Sequence, residues 1–107
     1  MRKIINNLLF RLKNRFPNMG KNIIVSHKTK IGKNCHIGNF CRLSQDVILG
    51  DNVSVGEFTV LCKINIGNNT MLESGIKMPG TGKGSIIIGK ECYIGVNNVF
   101  DTSDNKI

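Results

Sequence analysis

Val25-Ser-His-Lys-Thr-Lys-Ile31-Gly-Lys-Asn-Cys-His-Ile37-Gly-Asn-Phe-Cys-Arg-Leu43-Ser-Gln-Asp-Val-Ile-Leu49-Gly-Asp-Asn-Val-Ser-Val55-Gly-Glu-Phe-Thr-Val-Leu61 places an aliphatic residue at every sixth position, seven times without a miss. A helix repeats near 3.6 residues and a half-buried strand repeats at 2, so neither accounts for the pattern. A strict period of six needs a chain that turns a corner once per repeat, which defines a solenoid. An ordinary β-sandwich is disfavoured, because its turn signals would recur irregularly, about 8 to 12 residues apart.

The other hexad positions agree. The residue after the aliphatic one is Gly32, Gly38, Ser44, Gly50 or Gly56, small or free to turn. The fourth residue after it is Thr29, Cys35, Cys41, Val47, Val53 or Thr59, again small or β-branched. Between them lie pairs such as Lys33-Asn34, Asn39-Phe40, Asp51-Asn52 and Glu57-Phe58. Asn, Asp and Gly tolerate turn and left-handed backbone, so each hexad reads as a short strand plus a corner.

Ile31-Gly-Lys-Asn-Cys-His36, Ile37-Gly-Asn-Phe-Cys-Arg42, Leu49-Gly-Asp-Asn-Val-Ser54, Ile66-Gly-Asn-Asn-Thr-Met71, Ile88-Gly-Lys-Glu-Cys-Tyr93 and Ile94-Gly-Val-Asn-Asn-Val99 carry a motif. It resembles that of the hexapeptide-repeat acyltransferases. The resemblance covers residues 23–107 and implies an all-β fold, a left-handed parallel β-helix with three hexads per coil and a homotrimeric assembly. Left-handed coiling is an exception to the usual crossover rule. With 18 residues per coil, Asn34 and Asn52 should stack, as should Phe40 and Phe58.

The phase slips between Leu61 and Ile66, where the step is five. A second break, residues 78–85 (Met78-Pro-Gly-Thr-Gly-Lys-Gly-Ser85), reads as an inserted loop of the kind repeat proteins place on a binding face. Its Gly82-Lys83 is not a nucleotide-binding P-loop. That motif would need Gly where Lys77 stands and Ser or Thr where Gly84 stands, followed by a helix.

Charge is uneven. The formal total of +8 over 107 residues comes from the N-terminal part, where Arg2, Lys3, Arg11, Lys13, Arg15, Lys21, Lys28 and Lys30 meet no acidic residue. Residues 31–107 hold seven basic and seven acidic residues and are neutral. Residues 1–22 therefore form a basic arm and linker, and 23–107 the solenoid. Ile4, Ile5, Leu8, Leu9, Leu12 and Phe16 recur at helical spacing, and Pro17 closes the run. Two readings of this amphipathic helix stand: a cap on the open first coil or a neighbouring subunit, and, through residues 1–16, a peripheral contact with an anionic membrane. Nucleic acid is disfavoured, since no Tyr or Trp interleaves the basic residues. Nor does the arm have a signal-peptide pattern, and no segment approaches the 18 or more apolar residues of a membrane span.

Cys35, Cys41, Cys62 and Cys92 make no Cys-x-x-Cys pair, so neither zinc nor a disulfide framework is expected. They read as small packing residues in a reducing cytoplasm.

For activity, the resemblance implies acetyl-CoA, or another acyl-CoA, as co-substrate. A hydroxyl or amine of a sugar is the acceptor, as in sugar O-acetyltransferases of surface-polysaccharide synthesis, and a His is the general base. His27 and His36 both read as surface residues. In the family the base follows an Asp-Thr-Asp-Phe-His-Pro-like run, which Val99-Phe-Asp101-Thr102-Ser-Asp-Asn105-Lys-Ile107 matches at Asp101 and Thr102. These two and Asn105 are the expected substrate-binding residues. Asn105 stands where the His belongs, and an amide cannot accept a proton near neutral pH, though it can orient a hydroxyl. The abrupt stop of the repeat at Ile107 suggests a truncated or divergent member. An inactive structural or binding module on the same scaffold is the alternative. A zinc carbonic anhydrase is disfavoured, needing three His ligands where there are two.

Overall fold

The computed structural model describes residues 4, 5, 8, 9, 18–44, 46–78 and 85–100. Twelve strands of two or three residues follow one another. They are β1 (Asn18–Met19), β2 (Ile24–Val25), β3 (Lys30–Ile31), β4 (His36–Ile37), β5 (Arg42–Leu43), β6 (Val47–Leu49), β7 (Ser54–Val55), β8 (Val60–Leu61), β9 (Ile64–Ile66), β10 (Met71–Leu72), β11 (Ile86–Ile88) and β12 (Tyr93–Ile94).

As far as β10, every third strand joins the same sheet, and β11 and β12 then pair with β9 and β10. One face runs β1-β4-β7-β10-β12, a second β2-β5-β8, and a third β3-β6-β9-β11. All pairings are parallel. Lys77 extends the second face by bridging Val60 and Val99. The chain thus winds through about four coils, a parallel solenoid consistent with the left-handed β-helix expected. Strand β1 lies inside the stretch read as linker, so the first coil reaches back to Asn18.

The core is a column of the aliphatic and small hexad positions. Val25, Ile37, Leu43, Leu49, Val55, Leu61, Ile66 and Leu72 are all at most 2% exposed, and Cys35, Cys41, Val47 and Val53 fill the spaces between them. Burying each such aliphatic side chain contributes about 1.5–3 kcal/mol. Thr29, Thr59 and Thr70 are buried too, and each hydroxyl donates to a main-chain carbonyl, of Ser44 (2.7 Å), Glu57 (3.4 Å) and Gly89 (2.8 Å). These bonds remove the cost of burying a hydroxyl.

Two of the three corners share one design. After the Gly, the next residue donates its N–H to a side chain of the following coil, as Lys21 does to Asn39 Oδ1 (2.7 Å), Lys33 to Asp51 Oδ1 (2.8 Å) and Asp51 to Asn68 Oδ1 (2.8 Å). The residue after that takes left-handed backbone: Asn34, Asn52, Asn69 and Glu91 at one corner, Asn22, Phe40, Phe58, Gly75 and Asn97 at the other. Left-handed backbone costs a residue with a side chain about 1–2 kcal/mol, least for Asn. Phe40, Phe58 and Glu91 depart from that preference at these corners, and the two phenylalanines are one coil apart. Their rings stack at 5.1 Å between centroids and 3° between planes. Such a pair is worth about 0.5–1.5 kcal/mol, which offsets much of that strain.

The third corner, between the second and third faces, is built differently. Ser26 and Ser44 replace Gly, and each hydroxyl accepts a turn N–H, from Lys28 (3.1 Å) and Asp46 (3.4 Å). Both departures from the six-residue rhythm fall here: the shortened step through Cys62 and Lys63, and the break between Met78 and Ser85. Coil-to-coil pairing steps are accordingly 18 residues for Ile37↔Val55, 17 for Leu49↔Ile66 and 22 for Ile66↔Ile88. Of the expected loop 78–85, residues 79–84 lie outside the described residues, as does most of the stretch 1–16 in which the sequence predicts a helix.

Glycine at the repeat position is required by contact with the neighbouring coil. A Cβ on Gly56 would lie 2.5 Å from Ser74 N and 2.6 Å from Glu73 C. At Gly89 nothing comes within 4 Å. Gly56→Ala should therefore lower unfolding stability by about 1–3 kcal/mol or more, and Gly89→Ala should change it by less than about 0.5 kcal/mol. Urea titrations followed by circular dichroism check the pair; equal losses would refute this account of the repeat.

Candidate functional site

The residue before each inward aliphatic points out of the prism, so every face carries a column of outward side chains one coil apart. On the first face the column is His36, Ser54, Met71 and Tyr93, placed by the registers His36↔Ser54, Met71↔Ser54 and Met71↔Tyr93. His36, Met71 and Tyr93 are exposed. Beside the column lies an open groove of about 270 Å³, lined by His36, Ser54, Glu57, Met71, Glu73 and Ser74 among others.

The carboxylates on its rim are held in place. Asn39 Nδ2 donates to Glu57 Oε2 (2.8 Å), and the Glu57 N–H donates to Ser74 Oγ (3.2 Å). Tyr93 Oη donates to Glu73 Oε1 (3.0 Å), and that bond to a carboxylate raises the phenol's pKa. His36 is the imidazole of this groove. Its side chain is exposed, and among the described residues no hydrogen bond to the ring is present. His27 is half-buried in the Ser26 turn.

A second groove, about 330 Å³, lies on the third face at the irregular corner. Ile48, Ile64, Ile86 and Ile87 give it an apolar floor, with Asp46, Lys63, Asn65 and Ser85 around them. Ser85, the last residue of the expected loop 78–85, is among those lining this groove.

Asp101, Thr102 and Asn105, the substrate-binding residues expected from the sequence, lie outside the described residues. Glu57 and Glu73 of the first groove, and Tyr93, which donates to Glu73, were missed by the sequence reading. The signal was present in the hexads, but bringing Tyr93 over His36 requires the 17- and 22-residue coil lengths, and one uniform repeat of 18 does not give them. Among the described residues, no group of three or more His, Cys, Asp or Glu side chains could hold a metal ion.

All four cysteines are free thiols. Cys35 and Cys41 are buried, Cys62 and Cys92 half-buried. The thiols of Cys35 and Cys41 each donate to a carbonyl of the next coil, Gly50 and Gly56, at 3.1 Å. Burial, above all, raises the pKa of Cys35, Cys41 and Cys62. A packing role follows, since the thiolate is the nucleophile.

Comparison with known proteins follows the same lines. Residues 28–63 match the bacterial transferase hexapeptide family, in its six-repeat form. The chain is similar to the "Bifunctional protein GlmU" of Wigglesworthia glossinidia brevipalpis, 34% identical over 77 residues, which is 69% of this chain and 16% of that protein. It is also similar to the protein of the same name from Clostridium acetobutylicum, 28% identical over 92 residues, which is 82% of this chain and 19% of that protein. The chain thus spans less than a fifth of the length of these curated relatives. No solved structure gives a match. The class defined by fold and repeat is a hexapeptide-repeat β-solenoid, and residues 28–63 carry the repeat of the bacterial transferases.

The raised thiol pKa values have a consequence for stability. Above about pH 9 the unfolded chain releases thiol protons that the folded chain retains. Stability is therefore unaffected by these groups below that pH and falls as pH rises past it. Urea midpoints at pH 8 and pH 10 measure the fall, and a Cys35→Ser, Cys41→Ser double variant should show a shallower one.

Proposed function

We propose that the chain is an acyltransferase unit that uses acetyl-CoA, or a related acyl-CoA, to acylate a hydroxyl or amine of a sugar in surface-polysaccharide synthesis. It works as a cytoplasmic homotrimer. The observation that carries this reading is the match of residues 28–63 to the bacterial transferase hexapeptide repeat, on a parallel β-solenoid whose described coils run from Asn18 to Phe100.

In such a transfer the acceptor oxygen or nitrogen attacks the thioester carbonyl, the C–S bond breaks, and the acceptor's proton must leave. A base within hydrogen-bond reach of that proton typically contributes about 10²–10⁴-fold to the rate. Among the described residues His36 is the side chain suited to the task, being exposed, on strand β4 and at the edge of a groove. Ser54, Glu57 and Glu73 are groups that could hydrogen-bond a polyol beside it. Positioning of the two substrates supplies the remainder of the catalysis. A second reading, an inactive binding module on the same scaffold, is favoured by Asn105 standing where the family's base is expected.

Calorimetric titration with acetyl-CoA and a thiol-release assay against a panel of sugars and amino sugars distinguish the two. The enzyme reading expects saturable heat and turnover with at least one acceptor. It also expects a loss of about 10²–10⁴ in kcat for His36→Gln, with acetyl-CoA affinity unchanged, and little effect of His27→Gln. Neither heat nor turnover would leave the binding module. Sedimentation should give a trimer, and a stable monomer at micromolar concentration would remove the assembly from the proposal.

A further inference from the structure

Ile4, Ile5, Leu8 and Leu9 have helical backbone and lie open to solvent, 67%, 51%, 53% and 41% exposed. That contrasts with the solenoid, where the inward aliphatic residues of the middle coils are at most 2% exposed. At 3.6 residues per turn these four fall within an arc of about 140°. Leu12 and Phe16 continue the same stripe in the sequence. A cap on the first coil would bury this face, and here it is open.

Charge narrows what can cover it. Residues 1–16 contain Arg2, Lys3, Arg11, Lys13 and Arg15 and no acidic residue. The partner must therefore be anionic as well as apolar. The rest of this chain is a poor host for the arm of a second copy, because residues 31–107 balance seven basic against seven acidic residues and offer no net negative charge. A nucleic acid would satisfy the charge and leave the apolar face in water. A bilayer surface rich in anionic lipid meets both requirements, with the basic groups at the headgroups and the aliphatic stripe in the acyl boundary. No helix among the described residues is long and apolar enough to cross a membrane, which fits a helix lying in the interface.

We propose that residues 1–16 form a peripheral membrane anchor that seats the solenoid on an anionic lipid surface. This inference is independent of the acyltransferase reading and survives its failure.

Vesicle co-sedimentation of the full chain tests it. The bound fraction should rise at least tenfold when phosphatidylcholine vesicles are replaced by vesicles containing about 30% phosphatidylglycerol, and should fall as salt is raised. A Leu8→Asp, Leu9→Asp double variant should lose at least tenfold in binding while its β-sheet circular dichroism and melting temperature stay those of the parent. Equal binding to both vesicle types, no binding, or unchanged binding of the double variant would each overturn the proposal. So would vesicle-free sedimentation as an oligomer that the double variant dissociates, which would make this face a subunit contact.

Discussion

Each coil of this molecule must lie on the next at main-chain hydrogen-bond distance, and most other features of the fold answer to that demand. Phe58 N–H reaches the Asn39 carbonyl at 2.9 Å and Gly38 N–H reaches the Val55 carbonyl at 2.9 Å, one such bond after another around the prism. Corners are where two chains would collide if side chains intervened. Glycine at the contact position clears the space, left-handed backbone at Asn34, Asn52 and Asn69 bends the chain back, and an Asn or Asp side chain from the coil beyond caps the open N–H. The core follows from this arrangement, since a chain that turns every six residues presents one aliphatic and one small side chain to the axis per turn.

The same demand explains the polar residues inside. A position opposite a neighbouring coil's carbonyl can hold a hydroxyl or thiol without an unmet polar atom. Thr29, Thr70, Cys35 and Cys41 all use it, and no buried side-chain nitrogen or oxygen among the described residues lacks a partner. Cysteine here behaves as a slightly polar packing unit. It belongs to the wall of the prism, away from the exposed column of His36, Ser54 and Met71 that carries the chemical possibilities.

Much of the fold was legible because the period of six is enforced by covalent geometry and is repeated. The predicted stacking of Phe40 on Phe58 is present. The site was less legible, for a specific reason. Surface columns are assembled from residues a coil apart, and coil length changes from 18 to 17 to 22 residues along the chain. A reader who keeps 18 places Leu72, which faces the core, over Ser54. The structure pairs Ser54 with Met71, and Glu73 follows Leu72 onto the groove rim. Left-handed backbone at the two phenylalanines was equally hidden, since nothing in Phe favours it and the stack that offsets its cost forms only across coils. The expected Asp101, Thr102 and Asn105 lie past the last described coil.

Confinement of every length change to the Ser-type corner amounts to a seam running the height of the prism. Along the other two edges the side-chain ladders tie each coil to its neighbours, so an extra residue there would break bonds in two coils at once. Along the seam, residues are gained or lost between Leu61 and Ile66 or between Met78 and Ser85, and the strands on either side still pair in register. Such a scaffold can acquire new recognition loops from one edge only. Diversity in a lineage built on it would accumulate there, beside the apolar groove of Ile48 and Ile87, while the opposite faces stay nearly unchanged.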